Sequence, residues 1–566
     1  MNYEKLRIHE KCEFTDIRDA VERFAEMYGD DTAFSFKRNA HDKEVVKRSF
    51  INLRDDVRAL GSALIELGVP GKHLAIIGKL TYEWILVYYA TLAVGGVLVP
   101  LDREWTAADL ADTAQRADIK FVVCDPDIRE KCEEVRAAIG VETLYLNAFE
   151  GEGSVGELLE RGRALFASDS APYFAAEIDP YKMSLLVFTS GTTGKGKGVM
   201  LSQNNFMSDL VNIIPYIKFT KKTVMVLPPH HTYGSSVGIF GHCVIGAESY
   251  LSSGIRYVAK ELEEQSPGHL VLVPLYLETF YRKITAKIKA QGKEKLIARM
   301  IKLSNCLRKV GIDLRRKLFR RVLAAFGGKV EFIISGGAPL SPDMVDFFEG
   351  IGVQLLNGYG ITECAPIIAV NPSRMNTKGS VGPALEIDDV RLLDMNEDGE
   401  GEIIVKGPNV MLGYYKNDEA TAEAFTRDGY FRTGDYGKID KKTGAIFITG
   451  RKKNLIILSN GKNVYPEEIE SELVTAPGVI DIIVYEGQSR RGLAHNAIVA
   501  EVYPDKDYIE KNGITDIKAH LQTYVDEYNR TAVPYKKIGI LKVRDEEFPK
   551  NTLRKIMRFK LDMTID

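Results

Sequence analysis

The sequence predicts an α/β protein with a largely parallel sheet, followed by an antiparallel β unit and a small mixed α+β region. Three observations carry this. Short Val/Ile/Leu runs alternate with helix-length stretches through most of the chain, the pattern of buried strands joined by crossover helices. Beyond about residue 380 the strands are joined by short acidic or Gly-containing turns with no helix between them, which predicts an antiparallel barrel or sandwich. From about 451 a smaller region mixes short strands and helices and ends in a basic tail.

The elements follow in order. "HLAIIG" (73–78), "VLVPL" (97–101), "KFVVCD" (120–125), "SLLVF" (184–188), "VMVLP" (224–228), "LVLVP" (270–274) and "EFIIS" (331–335) read as buried strands. Trp84 to Leu101, "WILVYYATLAVGGVLVPL", is 18 uncharged residues, near the length of a membrane span. Gly95-Gly96 splits it and Pro100 closes it, so it predicts a buried helix, a tight turn and a buried strand. "VRLLD", "GEIIVKG" and "GAIFITG" supply the antiparallel strands. The last region has strands near 481–485 and 497–502 and a helix near 514–528.

At 566 residues the chain exceeds one core and predicts two or more domains. A net charge of −3 gives no global pull toward nucleic acid or membrane. Six scattered cysteines form no CxxC pair, so neither a zinc site nor a disulfide framework is expected, and a reducing cytoplasm fits best. "MNYEKLRIHEK" at the start has no apolar core of the kind a secretory leader needs.

The stretch 282–321 holds 15 Lys/Arg against two acids, a local charge of +13 that leaves −16 on the remainder. Leu296, Met300, Leu303, Leu307, Val310 and Leu314 recur at three-to-four spacing, which predicts an amphipathic helix pair with a basic face. Two readings stand: a solvated helical face, or a surface that meets anionic lipid or an acidic carrier.

"FTSGTTGKGKGVMLS" (188–202) is a polar, glycine-rich loop delivered from a buried strand. Gly191 to Lys197 fits the first part of a P-loop, but Gly198 stands where the magnesium-binding Ser/Thr belongs, and a strand follows instead of a helix. The reading left is a phosphate clamp: backbone N–H groups and the Ser190, Thr192 and Thr193 hydroxyls around a triphosphate, with Lys195 or Lys197 offsetting charge.

This loop resembles the signature loop of the adenylate-forming enzymes, the superfamily of acyl-CoA synthetases, luciferases and peptide-synthetase adenylation domains. "LPPHHTYG" (227–234), "ISGGAPL" (334–340), "NGYGITE" (357–363), "YFRTGD" (430–435), "GRKKNLI" (450–456), "GKNVYPEEIE" (461–470) and "PKNTLRKIMR" (549–558) follow in that family's order. The resemblance implies a large N-terminal domain, 1–450, of α/β subdomains plus a β-barrel-like subdomain. It also implies a small mobile α+β C-terminal domain, 451–566, pivoting near Lys453.

By that resemblance Glu363 is the Mg2+ ligand and Thr362 assists at the phosphate. Alone, Glu363 would read as an ordinary glutamate at a helix start. A hard cation wants carboxylate oxygen and offsets the charge that develops at the α-phosphate. The ATP/AMP site implied comprises Thr189, Ser190, Gly191, Thr192, Thr193, Gly194 and Lys197. It adds Gly337, Ala338 and Pro339 beside adenine, then Asn357, Gly358, Tyr359 and Gly360, with Tyr359 stacking on the base. Asp435 takes the ribose hydroxyls, although a Gly-Asp turn also occurs for local reasons. Arg451 is a second ribose or phosphate contact.

Several Lys/Arg crowd 550–560, so composition selects none of them. Only alignment on Pro549 places Lys555 on the family's catalytic lysine, an electrostatic stabiliser. Arg554 precedes it where the family usually has Gly, Asn454 replaces a usual Asp, and Gly196 stands where Pro is common. Gly461, Lys462 and Asn463 are the implied CoA-side loop.

His231, Tyr233, Gly234 and Gly336 are the implied acyl pocket, His231 being otherwise a buried structural histidine. Small residues at Gly234, Gly336 and Gly360 are expected to let a fatty chain lie against backbone. "LVPLYLETF" (272–280) and the basic insert at 282–321 resemble bacterial long-chain fatty acyl-CoA synthetases. ATP, Mg2+ and CoA are the implied cofactors and co-substrate. A fatty-acyl-AMP ligase or acyl–carrier-protein synthetase with a protein acceptor is the alternative. The expected location is the cytoplasm, with peripheral contact at an anionic inner membrane face through 282–321.

Overall fold

A computed structural model describes residues 3–189, 196–458, 463–488, 497–550 and 556–565. Ser190, Gly191, Thr192, Thr193, Gly194, Lys195, Gly461, Lys462 and Lys555 lie outside the described residues.

Mixed α/β architecture follows the predicted alternation. The largest sheet has seven strands in the order Gly413–Tyr414, Lys197–Ser202, Met183–Thr189, Val97–Leu101, His73–Ile77, Ile119–Cys124, Leu144–Leu146. The five strands from Met183–Thr189 onward are parallel. Lys197–Ser202 returns antiparallel from Met183–Thr189, so residues 189 and 197 face each other across the root of the glycine-rich loop. The strand where a P-loop would need a helix is therefore present. A second sheet pairs Val46–Ser49, Thr32–Phe36, Glu248–Leu251 and Lys222–Met225. A third pairs His269–Leu272, Phe332–Ser335, Gln354–Gly360 and Ile367–Val370.

The uncharged stretch 84–101 resolves as read. Thr81 accepts the Trp84 N–H and starts a helix, Tyr82–Ala93, with Tyr82 and Trp84 through Ala93 buried. Gly95, at φ +75°, makes the turn, and Val97–Leu101 enters the sheet. Among the described residues no helix is long and apolar enough to cross a membrane.

Beyond 380, Asp389–Leu393, Gly401–Lys406, Phe431–Ile439 and Ile446–Arg451 form a four-stranded antiparallel sheet. Past 451 a separate apolar cluster forms around Val479–Glu486, Ile498–Pro504 and Ile540–Val543 and the helices Pro466–Leu473 and Ile517–Thr531.

The basic stretch differs from expectation in which face is buried. Helices Pro274–Ala290 and Glu294–Arg308 form the pair. The inward stripe of the second is Ile297, Met300, Ile301 and Ser304, of which only Met300 belongs to the predicted stripe; it packs toward helix Pro342–Ile351, where Gly350 lets Ile301 approach. Leu296, Leu303 and Val310 are 52%, 59% and 71% exposed. Two apolar stripes overlap in this sequence, and the one that faces a neighbour is buried.

Gly360 shows how tightly the third sheet holds the turn after it. A Cβ there would stand 1.7 Å from the Pro366 carbonyl oxygen on the returning chain. Gly360→Ala is expected to cost about 3 kcal/mol of stability and to displace the turn Thr362–Cys364, read as a drop in melting temperature. An unchanged melting temperature would mean the two segments separate freely.

Candidate active site

The C-terminal ends of these strands open on one cleft of about 3080 Å³. Among the residues expected to bind nucleotide, Thr189, Lys197, Gly337, Ala338 and Pro339 line it. So do Asn357, Gly358, Tyr359, Gly360, Thr362, Glu363, Asp435 and Arg451. His231, Tyr233, Gly336 and Lys453 line it as well. Gly234 and Asn463 do not.

Asp435 is the buried charge of the site, 3% exposed. It lies on Phe431–Ile439, directly opposite Arg451 on Ile446–Arg451. Arg451 Nε stands 2.8 Å from its carboxylate, and the Tyr359 hydroxyl donates to it at 2.7 Å. Burial, and then the Asp435 charge, push the Tyr359 phenol well above its ordinary range, so it remains a donor. Three strands from two sheets thus converge on one carboxylate.

Glu363 sits in the tight turn Thr362–Cys364. Its carboxylate accepts from the Tyr414 hydroxyl at 3.0 Å, and its carbonyl accepts the Met411 N–H at 2.8 Å. Behind the turn, buried Asp209 accepts the Ile367 N–H at 2.9 Å. Burial raises the Asp209 carboxyl well above the carboxylate range. Lys197 Nζ lies 4.7 Å from the Tyr414 ring centroid. Tyr414 therefore joins Lys197 to Glu363. Sequence reading missed it, because a two-residue strand, Gly413–Tyr414, leaves no periodic trace. Arg116 was missed too: it donates to the Gly196 carbonyl at 2.9 Å, at the edge of the glycine-rich loop.

The donor set fits Mg2+. Glu363 offers hard oxygen at the cleft, and among the described residues no group of three or more His, Cys, Asp or Glu is assembled for a metal. One carboxylate with substrate phosphate and water suits magnesium.

Gly337 takes φ +90° in the loop between Phe332–Ser335 and Pro342–Ile351. Tyr233 is partly buried beside that loop, and its ring would lie 3.4 Å from a Cβ on Gly336. His231 is fixed through its carbonyl, which accepts from the Ser235 N–H at 2.9 Å and its hydroxyl at 3.1 Å. The His230 ring lies tilted against it with centroids 4.3 Å apart, its pKa lowered by burial.

The glycine expectation needs correction. A Cβ on Gly234 would meet the Pro228 carbonyl oxygen at 2.1 Å, and Gly360 is occupied similarly by Pro366. Both are small to admit the protein's own backbone, not an acyl chain. Gly336 alone of the three faces a side chain at ordinary contact distance.

The end of the chain reaches the same cleft. Lys550, Ile556, Met557 and Arg558 line it on either side of the undescribed 551–555. Asn463, on the expected CoA-side loop, pairs with Ile457 in a two-stranded ribbon away from the cleft.

Comparison with known proteins agrees with this site. Residues 21–415 match the family model described as "AMP-binding enzyme". A long-chain-fatty-acid–CoA ligase, FadD15, of Mycobacterium bovis is 29% identical over 453 residues, covering 76% of this chain and 74% of its own. A long-chain-fatty-acid–[acyl-carrier-protein] ligase, AEE15, of Arabidopsis thaliana is 27% identical over 98% of this chain and 85% of its own. ATP-bound MatB from Rhodopseudomonas palustris superposes with a TM-score of 0.75 at 26% identity, covering 96% of this chain and 98% of its own. With the cleft, the ordered motifs and a family match over most of its length, the chain belongs to the AMP-binding enzymes.

Proposed function

We propose that the chain is an ATP-dependent ligase that joins a long-chain fatty acid to CoA in two steps. A carboxylate oxygen of the acid attacks the α-phosphorus of ATP. The bond to the β-phosphate side breaks, leaving acyl-adenylate and pyrophosphate. The CoA thiol then gives up its proton, its sulfur attacks the acyl carbonyl, and the bond to AMP breaks. The observation that carries this reading is a single cleft joining the Asp435–Tyr359–Glu363 cluster to an apolar wall that includes Ile213, Ile217, Phe219, Met225, Val237 and Val273. Such a wall suits a hydrocarbon chain.

Asp435 and Arg451 hold the ribose, Gly337 to Pro339 and Tyr359 the adenine, and Lys197 the phosphate side. Glu363 would hold Mg2+, which supplies charge neutralisation at the α-phosphate. Lys555 stabilises the developing charge from the 451–566 domain. That domain then turns about Lys453, withdraws Lys555 and brings Gly461–Asn463 to the cleft for thioester formation.

An acyl carrier protein is the second acceptor, favoured by the basic 282–321 face, to which an acidic carrier would dock. A peripheral contact with anionic membrane uses the same face. Leu296, Leu303 and Val310 stand exposed among its lysines and arginines, an apolar-plus-basic surface suited to a lipid interface.

Pyrophosphate release with Mg·ATP and acids from acetate to oleate, each with and without CoA, tests the reaction. Long acids are expected to turn over only with CoA. Activation that CoA leaves unchanged, but a carrier protein stimulates, would reassign the acceptor. Lys555→Ala is expected to lower adenylation by 100-fold or more, on the order of a catalytic electrostatic contact, while sparing thioester formation from supplied acyl-adenylate. For the membrane contact, flotation with anionic vesicles at low salt is expected, with release at high salt and weakening by Leu303→Glu. No flotation with anionic vesicles refutes it.

A further inference from the structure

Arg282 opens the basic stretch, yet it is not a solvated charge. Its Nη2 donates to the Ile480 carbonyl at 2.9 Å and the Val474 carbonyl at 3.3 Å. Val474 directly follows the helix Pro466–Leu473, whose terminal carbonyls favour a cation. Both acceptors belong to the region beyond 451, whereas Arg282 lies on Pro274–Ala290 of the N-terminal part.

One turn earlier on the same helix is Glu278, which lines the cleft. Burial, with the nearby Asp481 charge, raises its carboxyl above the usual carboxylate range, and Arg282 and Lys550 offset only part of this. Lys550 is 2.6 Å from Asp481 and has only 9% of its side chain exposed. Arg282, Glu278, Asp481 and Lys550 thus form a charge cluster across the seam between the two parts. Lys550 sits at the root of the segment that leads to Lys555, and residues 556–558 beyond it line the cleft. Asn463 stands away from the cleft in this same arrangement.

We propose that Arg282 is a positioning residue for the first half-reaction. With Glu278 it clamps the 451–566 domain against helix Pro274–Ala290 in the pose that brings Lys550 and residues 556–558 to the cleft. The assignment rests on the two-step reading above. A contact made in one pose and absent from the other biases the equilibrium by its differential strength. Turning the domain to bring Asn463 inward must break the Arg282 bonds, so the clamp favours adenylation and resists the second step. A lysine at 282 keeps the charge but loses the fork that spans two carbonyls.

The test separates the half-reactions in the full chain. Single-turnover pyrophosphate release from Mg·ATP and a long acid, and thioester formation from supplied acyl-adenylate and CoA, are measured for wild type, Arg282→Ala and Arg282→Lys. Arg282→Ala is expected to slow the first about tenfold, a shift typical of a domain-coupling contact, and to leave the second unchanged or faster. Arg282→Lys falls between. Equal slowing of both steps, or no change in either, overturns the clamp. Should the alanine variant fail to fold, the lysine variant carries the same comparison. Limited proteolysis of the junction at 451–458 reads the clamp without activity: cleavage is expected to rise several-fold in the variants. A wild type inactive in both half-reactions overturns the proposed function, and equal cleavage of wild type and variants overturns the clamp.

Discussion

Asp435 is a carboxylate taken out of water, and such a group must be paired. Leaving a buried charge uncompensated is what makes loss of its partner destabilising, less so where the partner, like Arg451, is partly in water. Here the pairing is done by Arg451 and Tyr359. Tyr359 belongs to the sheet that ends in the Glu363 turn, and Arg451 ends the last strand before the small C-terminal region. One charge therefore fixes the distance between the Glu363 turn, the strand that carries Tyr359 and the strand that ends at Arg451.

The same logic runs through the rest of the cleft. The Glu363 turn is held from behind by Asp209 and from the side by Met411 and Tyr414. Each is a hydrogen bond to a group that would otherwise be buried without a partner, where the penalty is about 1–3 kcal/mol. The turn that carries Glu363 is thus held from several sides. Among the described residues the two parts of the chain also meet through polar contacts, such as those of Arg282 with the Val474 and Ile480 carbonyls.

Much of this was legible in the sequence. Buried parallel strands announce themselves as short apolar runs, and their positions came out within a few residues. Motif residues such as Glu363, Asp435 and Tyr359 converge as the family resemblance implied, because each sits at a strand end or the turn beyond it. What stayed hidden has a physical reason. Tyr414 acts from a two-residue strand, Arg116 reaches the loop from a distant helix, and Arg282 looks like one more surface cation until its carbonyl partners are seen. Periodicity shows that a helix has an apolar stripe but not which of two overlapping stripes meets a neighbour, which is why Leu296 and Leu303 face outward. Glycine is ambiguous in the same way: a missing Cβ makes room, and only the fold says that Pro228 and Pro366 take that room.

The basic stretch has a further consequence for the molecule as a whole. A net charge of −3 suggests a nearly neutral body, yet +13 is concentrated in 40 residues and −16 is spread over the rest. The protein is therefore an electric dipole. Its field within a Debye length, about 8 Å at physiological salt, is set locally, positive over the basic stretch and averaging negative elsewhere. In the electric field of any charged surface it feels a torque before it feels a net force. Orientation is thus selected on approach, and the side that arrives first is set by the charge layout, not by the sum.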